Sequence, residues 1–186
     1  MYNAFMRCYF FGTFDPVHLG HIEIAKYVEN KFHTEVFFVP TPSSPEKSGQ
    51  TRIEDRINML ELVYPKDKIS KIELEIEPPN YTYKTIEKLG ACYFILGYDQ
   101  FLNIENWKKS EYLKSMLHFL VIPRWSTTKV DFTGQKELGY NFDILDFPMF
   151  NVSSTEIREK VKNKESLVGL VDKEVEKYIY ENRLYS

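Results

Sequence analysis

The sequence predicts a doubly wound α/β fold: a Rossmann-like parallel sheet with helices on both faces and a small helical part toward the C-terminus. Three observations carry that prediction. Short apolar runs alternate with stretches of helical periodicity along most of the chain. Four of those runs carry little charge, as strands covered on both faces must. At 186 residues, the chain is long enough to bury a core without disulfide or metal staples.

Residues 4–11 (AFMRCYFF), 35–39 (EVFFV), 91–96 (ACYFIL) and 118–122 (HFLVI) read as the buried strands. Residues 69–76 alternate instead, with Ile69, Ile72, Leu74 and Ile76 mostly out of phase with Lys71, Glu73 and Glu75, which predicts a half-exposed edge strand. Helices are expected at about 19–31, 53–64, 82–89 and 108–113, so the order is β-α-β-α-β-α-β-α-β, a parallel sheet with right-handed crossovers. Residues 126–140 are polar, contain Gly134 and Gly139, and read as a loop; 142–147 (FDILDF) return as a short strand. Helices at about 154–162 and 172–182 close the chain, and Val171, Val175, Tyr178 and Ile179 give the second a face to pack on the sheet. Residues 40–50 (PTPSSPEKSGQ) have three prolines and one glycine and predict a loop that moves over a ligand. A single domain over 1–186 is expected, with its sheet core in about 1–125 and the closing strand and helices in about 141–186.

Charge and cysteine content exclude several classes of function. Lys and Arg number 24 against 27 Asp and Glu, a formal charge of -3, so the molecule as a whole does not attract polyanions, and nucleic acid is not an expected partner. A small phosphorylated ligand requires only local positive groups and backbone N–H dipoles. Cys8 and Cys92 lie inside apolar runs and read as buried thiols, not a disulfide framework. No basic leader and no run long enough to span a bilayer is present, so the expected setting is cytoplasmic, with no membrane partner. A homo-oligomer is compatible with the sequence, which sets no oligomeric state.

In open α/β sheets ligands bind beyond the carboxyl ends of the strands, so the segment after the first strand matters most. That segment is Gly12-Thr13-Phe14-Asp15-Pro16-Val17-His18-Leu19-Gly20-His21. Gly12 is expected to leave the strand with unusual dihedrals, Asp15-Pro16 to form a turn or helix entry, and Gly20 to let backbone approach a bound group. His18 and His21, three apart at a helix start, can point together toward the end where free N–H groups and the macrodipole favour an anion. Two imidazoles there suit a polyphosphate, donating to non-bridging oxygens as charge builds on them. A metal pair or a satisfied structural pair are the other readings. His33 and His118 lie at no ligand-like spacing, so no metal site is expected. Neither a P-loop nor a G-x-G-x-x-G is present, which argues against a Walker-type kinase or a dinucleotide oxidoreductase.

A second constellation is Asn151-Val152-Ser153-Ser154-Thr155-Glu156-Ile157-Arg158. Ser153 with Glu156 three residues on predicts a capped helix start. The Ser154 and Thr155 hydroxyls, with Arg158 one turn along, would make it a second anion cradle; the alternative is an ordinary capped surface helix. Both cradles are used if they grip one bound triphosphate from opposite sides.

GTFDPVHLGH followed far downstream by SSTEIR resembles the H-x-G-H nucleotidyltransferase superfamily, and in particular the bacterial nicotinate mononucleotide adenylyltransferases. The resemblance extends along nearly the whole chain through Pro45-Glu46-Lys47, Arg56, Asn80-Tyr81-Thr82, Gly97-Tyr98-Asp99, Trp107, Arg124 and the ending VEKYIYENRLY. It implies adenylyl transfer from ATP, with Mg²⁺, to nicotinate mononucleotide, giving nicotinate adenine dinucleotide and pyrophosphate in NAD biosynthesis. It further implies that His18 and His21 contact the triphosphate and stabilise charge at the reacting phosphorus. Ser154, Arg158 and Arg124 would then hold the leaving pyrophosphate. Gly12 and Thr13 would present backbone to the nucleotide, Gly97 and Asp99 would hold the ribose, and Lys47 would reach a phosphate. Thr82 and Trp107 match positions that hold the pyridine nucleotide, an indole face suiting a pyridine ring. Asp15 is assigned to holding its turn.

The sequence departs from the family pattern at three places. Phe11 stands where a second glycine is usual, Glu46 where a histidine is common, and Asn80 where serine is frequent. The alternatives are an adenylyltransferase acting on nicotinamide mononucleotide or phosphopantetheine, and a nucleotide-binding regulatory module without turnover.

Overall fold

The computed structural model describes residues 6–42, 51–123, 132–147 and 152–186. Five parallel strands, β1 (Cys8–Gly12), β2 (Val36–Pro40), β3 (Cys92–Gly97), β4 (Leu117–Ile122) and β5 (Phe142–Ile144), form one sheet in the order β2-β1-β3-β4-β5. Chain direction across the sheet reverses at β1, which pairs with β2 on one side and β3 on the other. That is the topological switch point where open α/β sheets leave a crevice.

The strand residues alternate between two cores, because successive side chains point to opposite faces. Cys8, Phe10, Val36, Phe38, Tyr93, Ile95 and Leu120 face one core. It is closed by α1 (Leu19–Phe32), α2 (Ile53–Val63), α7 (Ser154–Lys162) and α8 (Lys173–Glu181). Tyr9, Val39, Phe94, Leu96, Phe119 and Val121 face the other. There α3 (Thr82–Leu89), α4 (Tyr98–Leu102), α5 (Ser110–Met116) and the residue preceding α6 (Thr133–Glu137) pack against them. Apolar side chains on both faces explain why these strands are uninterrupted hydrophobic runs. Among the described residues no helix is long and apolar enough to cross a membrane.

The helices begin and end where local chemistry dictates. The Ser153 hydroxyl caps α7, accepting from the Glu156 N–H at 3.1 Å, and the Asp172 carboxylate caps α8, accepting from Glu174 at 2.8 Å. At its other end α1 stops at His33, which adopts the left-handed conformation, with φ 50°.

Two expectations need correction. Residues 69–76 do not form an edge strand: only Ile69 makes a bridge, to Phe38, and Ile72–Glu75 is a 3-10 turn. The inward residues are Ile69, Glu73 and Ile76, at spacings of three to four, while Leu74 is exposed. The alternation of isoleucines hid this, because the deciding inward residue is a carboxylate. The Glu73 side chain accepts from the Thr85 hydroxyl and, at 3.2 Å, from the Asn80 amide, which also donates to the Glu73 carbonyl at 2.7 Å. Burial pushes the Glu73 carboxyl above its ordinary range. The fifth strand of the sheet is instead Phe142–Ile144. Part of the region expected to be loop, Thr133–Glu137, is a short helix anchored by buried Phe132.

Candidate active site

A cleft of about 510 Å³ opens at the carboxyl ends of four strands, lined there by Phe11 and Gly12 of β1, Thr41 and Pro42 just past β2, Gly97 of β3 and Ile122 of β4. On one side His18, His21 and Ser154 face it; on the other, Thr82, Phe94 and Trp107. The two distant sequence constellations therefore meet in one crevice.

The first loop is built around Phe14. Its backbone is left-handed, with φ 48°, and its ring is buried against Phe10 and Phe38. A Cβ on Gly12 would lie 2.8 Å from that ring. The expected special dihedral thus falls on Phe14, and Gly12 is glycine because a ring lies over it. The same ring meets His21 edge-on, with centroids 5.0 Å apart. Gly20 likewise serves packing: a Cβ there would come within 3.1 Å of both the His18 Nδ1 and Val152.

His18 and His21 stack with ring centroids 3.6 Å apart. The His18 backbone N–H donates to His21 Nδ1 at 3.2 Å, which leaves the proton of a neutral His21 on Nε2. Burial pushes the His18 pKa down to about 4. His21 lies well below 6.5 because of burial and the neighbouring His18. Two neutral imidazoles at a helix N-terminus offer N–H donors without the mutual repulsion of a stacked cation pair. Among the described residues the buried His18 Nδ1 has no hydrogen-bond partner.

The start of α7 is pinned onto the first loop. Ser154 Oγ donates to the Pro16 carbonyl at 2.9 Å, and Arg158 donates to the Asp15 carbonyl at 2.7 Å and to the Thr155 hydroxyl at 3.1 Å. Asp15, buried in a turn with a cis Asp15-Pro16 bond, accepts from the Thr51 N–H at 3.1 Å and the Tyr185 hydroxyl at 2.7 Å. The arrangement matches its expected role of holding the turn.

Of the residues named from sequence, Gly12, Thr13, His18, His21, Thr82, Gly97, Trp107 and Ser154 line the cleft. Arg158 and Asp99 do not: Arg158 braces the Asp15 turn, and Asp99 is exposed on the first turn of α4, where Gln100 reaches the cleft instead. Lys47 and Arg124 lie outside the described residues. Sequence reasoning missed the aromatic lining of Phe10, Phe14 and Phe94: Phe10 and Phe94 belong to strand runs that look like core alone, and Phe14 sits in the loop after β1. It also assigned no role to Arg56. That guanidinium is fully buried and donates to the carbonyls of Thr13 and Thr41, at 2.7 and 2.8 Å, and of Thr51 at 3.1 Å, tying the loops after β1 and β2 together. A charge inside the amphipathic pattern of α2 was the available signal.

A parallel sheet with its crevice at the switch point, and a helix N-terminus facing it, defines a nucleotide-binding α/β protein. The cytidylyltransferase-like family matches residues 9–160. A protein of Coprothermobacter proteolyticus named "probable nicotinate-nucleotide adenylyltransferase" is 38% identical over 183 residues, covering 94% of this chain and 92% of that relative. One of Caldicellulosiruptor saccharolyticus with the same name is 33% identical over 189 residues, covering 95% and 96%. The nicotinic acid mononucleotide adenylyltransferase of Plasmodium falciparum, solved in complex with NaAD, shares the fold with a TM-score of 0.78 at 23% identity over 96% of each chain. The chain belongs to the cytidylyltransferase-like family and, within it, to the nicotinate-nucleotide adenylyltransferases.

Proposed function

We propose that the protein transfers the adenylyl group of ATP to nicotinate mononucleotide, releasing pyrophosphate and forming nicotinate adenine dinucleotide, a step in NAD biosynthesis. The observation that carries this reading is the convergence of His18, His21 and Ser154 with Thr82 and Trp107 on one cleft. The acceptor's phosphate oxygen attacks the α-phosphorus of ATP in line, one P–O bond forming as the bond to the leaving pyrophosphate breaks. Both reactants are anions, so the protein acts mainly by positioning and by charge stabilisation. His18 and His21 donate N–H groups to the phosphate oxygens, and an arriving polyanion raises their proton affinity. Ser154 and the free N–H groups of α7 hold the pyrophosphate, with Arg158 turned from the Asp15 carbonyl onto it and Arg124 assisting. Gly12, Thr13 and Gly97 face the nucleoside, and Asp99 reaches its ribose from the exposed first turn of α4 beside the cleft; Thr82 and Trp107 hold the pyridine ring; Lys47 contacts a phosphate. Hydroxyls, imidazoles and backbone N–H groups are donors for phosphate oxygens, and Mg²⁺ enters as the substrate complex with ATP.

The test is pyrophosphate release from ATP that depends on nicotinate mononucleotide. Loss of one well-placed transition-state donor costs about 3 kcal/mol, so His18→Ala is expected to lower kcat at least ~100-fold. Release that depends on phosphopantetheine alone, or an unimpaired His18→Ala, would overturn the reading.

A further inference from the structure

We propose that Phe11 shapes the acceptor side of the cleft, selecting a flat cationic heteroaromatic ring through an aromatic wall that it forms with Phe94. This rests on the adenylyl-transfer reading and gives the acceptor pocket a determinant that neither His18 nor Thr82 supplies.

Phe10 and Phe11 are consecutive on β1, so their rings leave the sheet on opposite faces. Phe10 joins Phe14 and His21, with centroids 5.5 and 5.8 Å away, on the triphosphate side. Phe11 stacks on Phe94 with centroids 4.6 Å apart and planes 18° from parallel. Phe94 in turn meets Trp107 edge-on, 6.1 Å away. All three rings, and Thr82, line the cleft, and Phe11 is only partly buried. One face of the Phe11 ring is covered by Phe94; the remainder borders the space in which an acceptor would lie.

A glycine here would leave backbone as the wall. The phenyl ring replaces it with an apolar π surface that joins, through Phe94, the half-exposed Trp107 indole. The pyridine ring of a nicotinate nucleotide bears a formal positive charge once its nitrogen is joined to ribose. Such a planar cation is drawn to aromatic faces, whereas an aliphatic pantetheine arm gains only apolar contact.

The experiment compares Phe11→Leu, which keeps apolar bulk without a ring, with Phe11→Tyr, which keeps the ring. Calorimetric titration uses nicotinate mononucleotide and ribose 5-phosphate, and steady-state kinetics give KM for each substrate. Phe11→Leu is expected to weaken nicotinate mononucleotide binding and raise its KM about 5- to 10-fold. KM for ATP and affinity for ribose 5-phosphate should stay within about twofold, and Phe11→Tyr should match the parent protein. An unchanged acceptor KM in Phe11→Leu, an equal rise for both substrates, or a rise for ATP alone overturns the proposal while leaving adenylyl transfer intact. A parent protein that neither binds nor adenylylates nicotinate mononucleotide sinks both.

Discussion

His18 shows how one burial event sets both the chemistry and the stability of the site. Its imidazole is nine-tenths buried, and desolvation takes its pKa from 6.5 to about 4. The unfolded chain keeps the ordinary value, so between these limits it binds more protons than the folded protein, and stability rises with pH. The folded state is free of this penalty above about pH 6.5, and the penalty grows as pH falls toward about 4. At about 1.4 kcal/mol per pKa unit the full effect is about 3 kcal/mol. His18→Asn is therefore expected to lose less stability than the parent between pH 7 and pH 4.5, measured by urea midpoints; equal losses would show that His18 does not carry this dependence. The motif GTFDPVHLGH was legible in sequence because its residue types suit an anion. Its supports were less so: the sequence suggests an unusual dihedral at Gly12 and a close approach to a ligand at Gly20, whereas their missing side chains make room for the Phe14 ring and the His18 imidazole. One sequence cannot show which neighbour a glycine accommodates.

Among the elements, the four buried strands and the major helices could be read directly, since apolar runs covered on both faces have no other home in a chain of this length. The failure at residues 69–76 has a physical cause. Alternating isoleucine and glutamate fits a half-exposed strand, but Glu73 finds partners in buried Thr85 and half-buried Asn80, and once that pairing forms the segment turns as a 3-10 helix. The pairing also fixes the entry to α3, whose first residue, Thr82, faces the cleft. Glu73→Ala would leave the buried Thr85 hydroxyl unpartnered, a cost of about 1–3 kcal/mol. It should raise the KM for the acceptor more than that for ATP. Glu73→Gln keeps an acceptor oxygen for Thr85 and should lose less on both counts. Thermal melts with two-substrate kinetics check this, and a loss of stability without any change in acceptor KM would confine Glu73 to a structural role.

Across the whole molecule, the site exists only because the last segment of the chain folds back on the first. Leu19 N–H donates to the Leu170 carbonyl, Arg158 and Ser154 reach the Asp15-Pro16 turn, and Tyr178 bonds Asp55 and Asn58 of α2. Tyr185 completes the closure by donating to the Asp15 carboxylate, the residue whose backbone carbonyl Arg158 holds. Local propensity contains no trace of these links, which join positions more than 100 residues apart, so the sequence showed two cradles but not the clasp that aligns them. The clasp is testable at its far end. Tyr185→Phe removes one hydroxyl and leaves one oxygen of the buried Asp15 carboxylate without that donor, at a cost of about 1–3 kcal/mol. For a domain of this size that lowers Tm by roughly 3–10 °C. Because Asp15 sets the turn that leads into His18, kcat should fall several-fold while KM for either substrate changes little. If the variant melts early but turns over at the parent rate below its transition, the clasp contributes only stability; if both values match the parent, the Tyr185 hydroxyl is dispensable and alignment rests on Arg158 and Ser154.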